Sequence, residues 1–338
     1  MSESFKAQVG LDWRTAEIEH YREVRDLLGG DGTGNELTAN TGNITGYQVK
    51  TGGLYNINDQ VAIFGNAGYV SKVPIFDGVI DDVGGNINDD PHNEAFLSME
   101  AGAGYRSRDR RLSVKLNIYN TEWRDRTVTR SIILADGSDG LINLIGLDAL
   151  HQGIEAEVTY QPFDLLRFNG AAAIANWKYT DDVTGTFRPD DRSSEVEQFD
   201  YYLKGLKVGD APQTQFSYAV SIFPAEGVYL QVVGKTFSNH YSNFDPRGRT
   251  DPTDRTQSWK APGYTVIDLH AGYDLPLSSL PVKIQIFTNV FNLFDTVYIQ
   301  DALDNSRFNG FDGDHDADDA EVFFGLLRTF TLGFSVTY

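Results

Sequence analysis

The chain runs to 338 residues, room for one large domain or two ordinary ones, and its 48 acidic against 28 basic side chains leave a net charge of -20. So large an acidic excess repels phosphate, which argues against nucleic acid as a partner. There is no cysteine, hence no disulfide framework or thiolate metal centre, and no apolar run long enough (about 18 residues) for a transmembrane helix. A closed barrel is then the one way such a chain can cross a bilayer, because every backbone N–H and C=O must find its partner within the protein.

Glycine (33), tyrosine (17) and phenylalanine (21) are plentiful, as in a protein of strands and turns. Alternation of apolar and polar residues predicts twelve strands in chain order. Phe5 to Trp13 sets Phe5, Ala7, Val9, Leu11 and Trp13 against Lys6, Gln8 and Asp12. Ile44 to Tyr55 opposes Tyr47, Val49 and Tyr55 to Gln48 and Lys50, and Gln60 to Ser71 lines up Val61, Ile63, Ala67 and Tyr69. The same pattern recurs from Leu97 to Tyr105, Leu112 to Ile118, Ile154 to Tyr160 and Leu166 to Ile174. It returns from Phe216 to Ile222, Val228 to Val232, Ile267 to Tyr273 and Val282 to Ile286. The closing strand, Phe330 to Tyr338, puts Phe330, Leu332, Phe334, Val336 and Tyr338 on one face, with Thr331, Gly333, Ser335 and Thr337 on the other.

Every second connection is long. Asn56 to Asp59, Ser107 to Arg110, Pro162 to Asp164, Ala225 to Gly227 and Pro276 to Leu280 are tight turns. Polar reaches near residues 26–43, 72–94, 131–150, 180–213, 239–262 and 299–320 separate them. Such parity is that of an up-and-down membrane barrel, with short turns at the periplasmic rim and long loops at the outer one. A Greek-key sandwich has no reason to keep it. The first strand then runs outward and Tyr338 ends in the periplasm. Charges are nearly absent from the apolar faces, but alternation alone does not say which face is inside.

Some of these residues resemble a known family. Asn289-Val-Phe-Asn292-Leu293-Phe294-Asp295-Thr-Val-Tyr298 is similar to the Asn-x-x-Asn-Leu-Phe-Asp-x-x-Tyr near the penultimate strand of TonB-dependent receptors. Gly325, Arg328, Thr329 and Phe330 resemble the family's Gly-x-Pro-Arg-Thr-Phe before the last strand, with Leu327 in place of proline and Tyr338 where phenylalanine is usual. Gly153 to Pro162 and the stretch from Asn93 to Gly102 resemble further mid-barrel segments. The resemblance implies an all-β, antiparallel, up-and-down transmembrane β-barrel, residues 1–338 supplying about twelve strands of what would be a 22-stranded barrel. The family's signal peptide, TonB box and plug do not precede Phe5. Met1-Ser2-Glu3-Ser4-Phe5 has neither basic nor apolar leader character, so a partial sequence is expected, placed in the cell outer membrane. The resemblance further implies import of a scarce ligand (siderophore, vitamin or oligosaccharide), no enzymatic activity and no cofactor. Implied partners are outer-membrane lipid and lipopolysaccharide, the barrel-assembly machinery through the C-terminal strand, and the TonB complex through the plug.

Two rival readings stay open: a self-contained twelve-stranded pore or barrel enzyme, and a soluble all-β binding module. Asp312, Asp314 and Asp316, in a run that continues to Asp318 and Asp319, offer alternate oxygen ligands to a hard cation. They lack EF-hand spacing, and a solvated outer loop explains them too. Asp268 and His270 share a strand face and lie close enough to touch. Tyr55, Tyr69, Tyr105, Tyr160, Tyr273 and Trp177, near strand ends, fit interfacial girdles. An anionic ligand would need Arg247, Arg249 and Arg307 to gather.

Overall fold

The computed structural model describes residues 4–23, 36–74, 92–133, 139–189, 197–277, 282–304 and 313–337. Its strands are β1 (Phe5–Glu23), β2 (Glu36–Asn56), β3 (Val61–Lys72), β4 (Glu94–Arg106), β5 (Leu112–Ile133), β6 (Asp139–Phe163), β7 (Leu166–Tyr179), β8 (Val183–Pro189) and β9 (Glu197–Tyr201). The remainder are β10 (Thr214–Ala225), β11 (Val228–Ser238), β12 (His240–Tyr241), β13 (Lys260–Ala261), β14 (Tyr264–Asp274), β15 (Lys283–Phe291), β16 (Ile299–Leu303), β17 (Glu321–Phe324) and β18 (Thr329–Thr337). A single 3₁₀ turn, Pro246–Arg249, is the only helical element among the described residues.

Twelve of these form one antiparallel path, β1-β2-β3-β4-β5-β6-β7-β10-β11-β14-β15-β18. They are the twelve that alternation predicts. Cross-strand register keeps like beside like: Phe168, Val220, Val232, Leu269, Val290 and Phe330 stand side by side across six strands. A slip of one residue anywhere would turn a whole strand over. Close packing of neighbouring strands also explains one concave-face glycine: a Cβ on Gly102 would sit 2.5 Å from the Phe64 ring of the adjacent strand.

The two faces differ in what covers them. Val9 is 79% exposed, Phe330 72%, Leu332 79% and Phe334 75%, and among the described residues no protein layer lies on this side. The other side is concave, lined by Lys6, Gln8, Lys50, Asn66, Glu100 and Thr121. Left in water, a dozen large apolar side chains would forfeit on the order of 20–30 kcal/mol, more than the roughly 5–15 kcal/mol by which a domain is stable. The medium against this face is therefore apolar, and the soluble-module reading falls. Tyr55, Tyr69, Tyr105, Tyr160 and Tyr273 lie on the uncovered face as a girdle requires, but Trp177, at an odd position of β7, lies on the concave one.

The outer connections hold more structure than their polarity suggests. β2 begins within the reach read as loop, β5 and β6 continue one hairpin through residues read as loop to Ile133 and from Asp139, and β8 and β9 fill part of 180–213. Register shifts between Trp123, Arg126 and Val128 interrupt the period of two, which hides the hairpin from a pattern reading. Ile142, Leu144 and Leu147 then turn inward with Tyr179, Phe187, Tyr201, Leu203, Leu206 and Phe244 as the one dry core among the described residues. β1 pairs only with β2 and β18 only with β15, so the described sheet is open.

A charge at Leu116, on the uncovered face, should cost about 2–4 kcal/mol of folding into a bilayer at mid-depth, while Lys115→Gln on the concave face should change little. Urea titration of the chain folded into liposomes reads both; equal costs would refute the face assignment.

Candidate functional site

Two groups of residues bear on function: a clasp where β15 leaves the sheet and β18 returns, and a row of rings on the concave face. Asn292 is 3% exposed and sits at a positive φ of 50°, a conformation asparagine tolerates better than most residues. Its side chain donates to the carbonyls of Thr296 (2.9 Å) and Leu326 (3.2 Å) and accepts from the Thr296 N–H (2.8 Å). The Asn292 N–H donates to Asp268 (2.9 Å), whose other oxygen takes Lys235 Nζ at 3.0 Å. Asp295, also at positive φ, accepts from the Arg328 N–H (2.8 Å), and Arg328 donates to the Leu293 carbonyl (3.3 Å). The Tyr298 ring covers Gly325 so closely that a Cβ there would lie 2.0 Å from it, and stacks on Tyr264 with centroids 4.4 Å apart. The structure thus joins Asn292, Leu293, Asp295, Tyr298, Gly325 and Arg328 in one corner.

The other motif residues stand apart from it. Asn289 Oδ1 accepts from His270 Nδ1 at 2.7 Å on the concave face, Phe294 is 71% exposed on the rim, and Thr329 and Phe330 open β18. Tyr338 lies outside the described residues. Asp268 and His270 do share a face, but each bonds elsewhere and not to the other.

On the concave face, near the ends of β4 and β7 remote from the short turns and midway along the longer β5 and β6, four rings run across four strands. Phe96 and Trp123 have centroids 4.8 Å apart, Trp123 and His151 6.3 Å, His151 and Trp177 5.6 Å. Register places them, since Phe96 pairs with Trp123 and His151 with Trp177, while Trp123 reaches His151 on the diagonal. Trp123 Nε1 donates to Glu94 (3.2 Å), itself 2% exposed and bound by Lys72 at 3.1 Å; Trp177 Nε1 donates to the Tyr119 hydroxyl at 3.0 Å. Arg126 lies 4.5 Å over the Trp123 ring. With both indoles anchored, the half-buried ring faces form a fixed shelf on which planar groups or the apolar faces of sugars can stack. Sequence reading missed it. The available signal was aromatic residues at positions where the period of two calls for polar ones.

Above the rim, Arg249, wholly buried, meets Asp304 at 3.0 Å and donates to the Thr256 carbonyl at 2.7 Å. His315 bridges Asp304 through Nδ1 (2.7 Å) and Asp254 through Nε2 (2.8 Å). A neutral imidazole carries one N–H, so satisfying both carboxylates requires the doubly protonated ring. Burial lowers the affinity of His315 for that proton, but the two carboxylate bonds outweigh it and the pKa is raised. Beside it, ligand atoms of Asp314, Asp316, Asp318 and Asp319 lie within 4.8 Å of one another. Asp314 accepts from the Asp316 N–H (3.2 Å) and Asp316 from the Asp318 N–H (2.9 Å), turn bonds that gather the carboxylates with no ion required. Asp312 and Arg307 lie outside the described residues. Arg247 is held by Asp245 at 2.6 Å and Arg249 by Asp304, so these two do not assemble an anion clamp.

A family model described as TonB dependent receptor-like, beta-barrel, matches residues 4–293. No curated protein matches in sequence. Among solved structures, the ferric-catecholate import receptor Fiu of E. coli K12, in its closed form, superposes with a TM-score of 0.61 at 16% identity, over 99% of this chain and 42% of its own. The copper transporter OprC gives 0.66 at 15%, over 99% and 46%. The siderophore receptor PiuA of Acinetobacter baumannii gives 0.62 at 14%, over 98% and 40%. At these identities the likeness is one of fold, and the chain spans less than half the length of each.

Gly325→Ala should cost about 1–3 kcal/mol by overpacking against Tyr298. Gly104→Ala, where a Cβ meets nothing within 4 Å, should stay within about 0.5 kcal/mol. Comparable losses in denaturant titrations would dissolve the proposed corner. Because the folded pKa of His315 is raised, its contribution is present on the acid side and is lost as pH rises through that value. Amide protection in 251–258 and 313–319 should fall over that rise, and His315→Gln should flatten the profile.

Proposed function

Because the chain belongs to the TonB-dependent receptor family as a portion of its β-barrel, we propose that it forms the wall of an outer-membrane importer whose scarce ligand is first held on the ring shelf of Phe96, Trp123, His151 and Trp177. Barrels of this family reside in the outer membrane of Gram-negative bacteria, and the family and the structural neighbours are transport receptors. The observation that carries the reading is the position of the shelf: on the concave face, where β4 and β7 give way to the long connections and the β5–β6 hairpin continues past it. A solute arriving from outside reaches it before anything deeper. Fiu and PiuA are named for iron chelates and OprC for copper, which supports a scarce nutrient as the cargo class. Outer-membrane lipid and lipopolysaccharide would cover the apolar face, the barrel-assembly machinery would engage β18, and contact with the TonB complex would belong to the plug of the whole receptor.

In the whole receptor, Trp123→Ala with Trp177→Ala should leave outer-membrane assembly intact. Two stacking partners at about 0.5–1.5 kcal/mol each amount to a Kd about 5- to 150-fold weaker, read as nutrient-limited growth that needs at least about five times more ligand. Parental growth from the double variant, or uptake that persists without the TonB complex, would overturn the assignment.

A further inference from the structure

The rim of short turns carries one patch whose charge opposes that of the molecule. Between β4 and β5 the chain reads Arg106-Ser107-Arg108-Asp109-Arg110-Arg111, four of its 28 basic side chains within one turn of a protein whose net charge is -20. The other short turns hold Asp59, Asp164 and Glu226 and no base. All four arginines are exposed. Asp109, the one acid in the turn, accepts from the Ser107 hydroxyl (2.5 Å) and the Arg111 N–H (3.1 Å), and among the described residues none of the four guanidiniums forms an ion pair. At Arg110 the backbone holds a φ of 59°, a conformation in which glycine escapes the steric cost that a side chain bears. Such a position points to a task for the side chain.

The turn is braced against both neighbours. The Arg106 N–H donates to the Gln60 carbonyl (2.8 Å) in the turn before it, and the Arg111 carbonyl accepts from the Gln161 N–H (2.8 Å) in the turn after it. Arg111 also donates through its guanidinium to the Pro162 carbonyl. Arg108 Nε donates to Gln60 Oε1 (3.3 Å), and Gln60 Nε2 donates to the Tyr105 hydroxyl (3.3 Å). Tyr105 belongs to the uncovered face, so these bonds lean Arg108 toward the lipid side of the rim and away from the concave side. Tyr55 and Tyr160, near the ends of β2 and β6, mark the same level to left and right. Just beyond them Ile57, Phe163 and Leu165 stand exposed on the flanking turns.

We propose that this turn binds the phosphate of an anionic glycerophospholipid in the leaflet that meets the short-turn rim. The inference rests on the apolar face meeting a bilayer and goes beyond it, since neutral lipid would cover that face equally well. Tyrosines at a membrane face sit at headgroup level, which puts guanidiniums one residue further on among the phosphates. Each guanidinium offers five N–H donors in a planar fork that takes phosphate two bonds at a time. The bonds to Gln60 and Pro162 use one donor of Arg108 and one of Arg111, and leave the rest of each fork open. Apolar residues on both flanks suit the glycerol and the first methylenes of the acyl chains. An acidic protein partner would explain the charge but not the tyrosines and apolar side chains at one level with it. The molecule as a whole repels anionic lipid, so a preference for such lipid requires a local site.

Native mass spectrometry of the chain folded in a neutral detergent, titrated with dioleoylphosphatidylglycerol or dioleoylphosphatidylcholine, tests the site. At about fivefold per arginine near an anionic surface, phosphatidylglycerol should bind at least about 25-fold tighter than phosphatidylcholine, and Arg108→Gln with Arg110→Gln should remove most of that preference. Arg110→Gly, which relieves the backbone, should fold at least as well as the parent in urea and still bind phosphatidylglycerol about fivefold more weakly. Arg14→Gln with Arg124→Gln removes the same charge toward the opposite rim and should bind as the parent does. Inorganic phosphate at the lipid's concentration should not displace it, having no chains for the flanking residues to meet. Equal affinity for the two lipids, unchanged affinity in Arg110→Gly, an equal loss in the opposite-rim variant or displacement by phosphate would each overturn the site and leave the bilayer assignment standing. A chain that stays folded and dispersed without detergent would overturn both.

Discussion

Everything in this fold follows from one constraint: among the described residues, the apolar side of a twelve-stranded sheet has no protein against it. Residues such as Val9, Leu332 and Phe334 remain three-quarters exposed, and no described layer or helix packs there. The bilayer supplies the missing apolar medium, and the strands satisfy each other's backbone groups along the path, which is what hydrocarbon demands. Once the lipid side is fixed, the alternation of every strand fixes its inner side as well. Lys115 opposite Glu157 and Asn117 opposite Glu155 then become wet, concave-face pairs and not buried charges.

The same constraint moves the dry core elsewhere. In a soluble domain the apolar stripe of each strand meets another layer, whereas here the buried apolar side chains gather in the outer connections, around Leu144, Leu147, Tyr201 and Leu203. Those connections are consequently small folded units. The Arg249, Asp304, His315 and Asp254 group adds a second lock between the segments that precede β14 and β18. It joins three ionisable groups out of water with a fourth, Asp254, partly so, and its strength rests on all of them staying paired. Function placed at this end can be positioned accurately, because the segments that present it are braced from beneath.

The corner of Asn292, Asp295, Tyr298, Gly325 and Arg328 has a plain physical role. β15 must stop, leave the sheet and let β18 return beside it. Two non-glycine residues at positive φ, a side-chain amide that replaces three backbone partners and a glycine that admits a tyrosine ring make the reversal possible. The family resemblance in these residues is therefore a resemblance in how a sheet edge is turned, and it says nothing of the ligand. The proposed ligand contacts lie instead on residues that no motif marks: the rings across β4 to β7.

The sequence by itself determined the twelve strands of the main path, their faces and the parity of their connections, because period-two alternation and turn residues are local properties. It also marked the corner, since a reversal needs particular residues at fixed spacing. Only the tertiary structure decided which side meets lipid, because exposure depends on what lies opposite. It alone brought Phe96, Trp123, His151 and Trp177 together from four strands. The rings are set by register, a relation between residues far apart in the chain, which no local pattern carries.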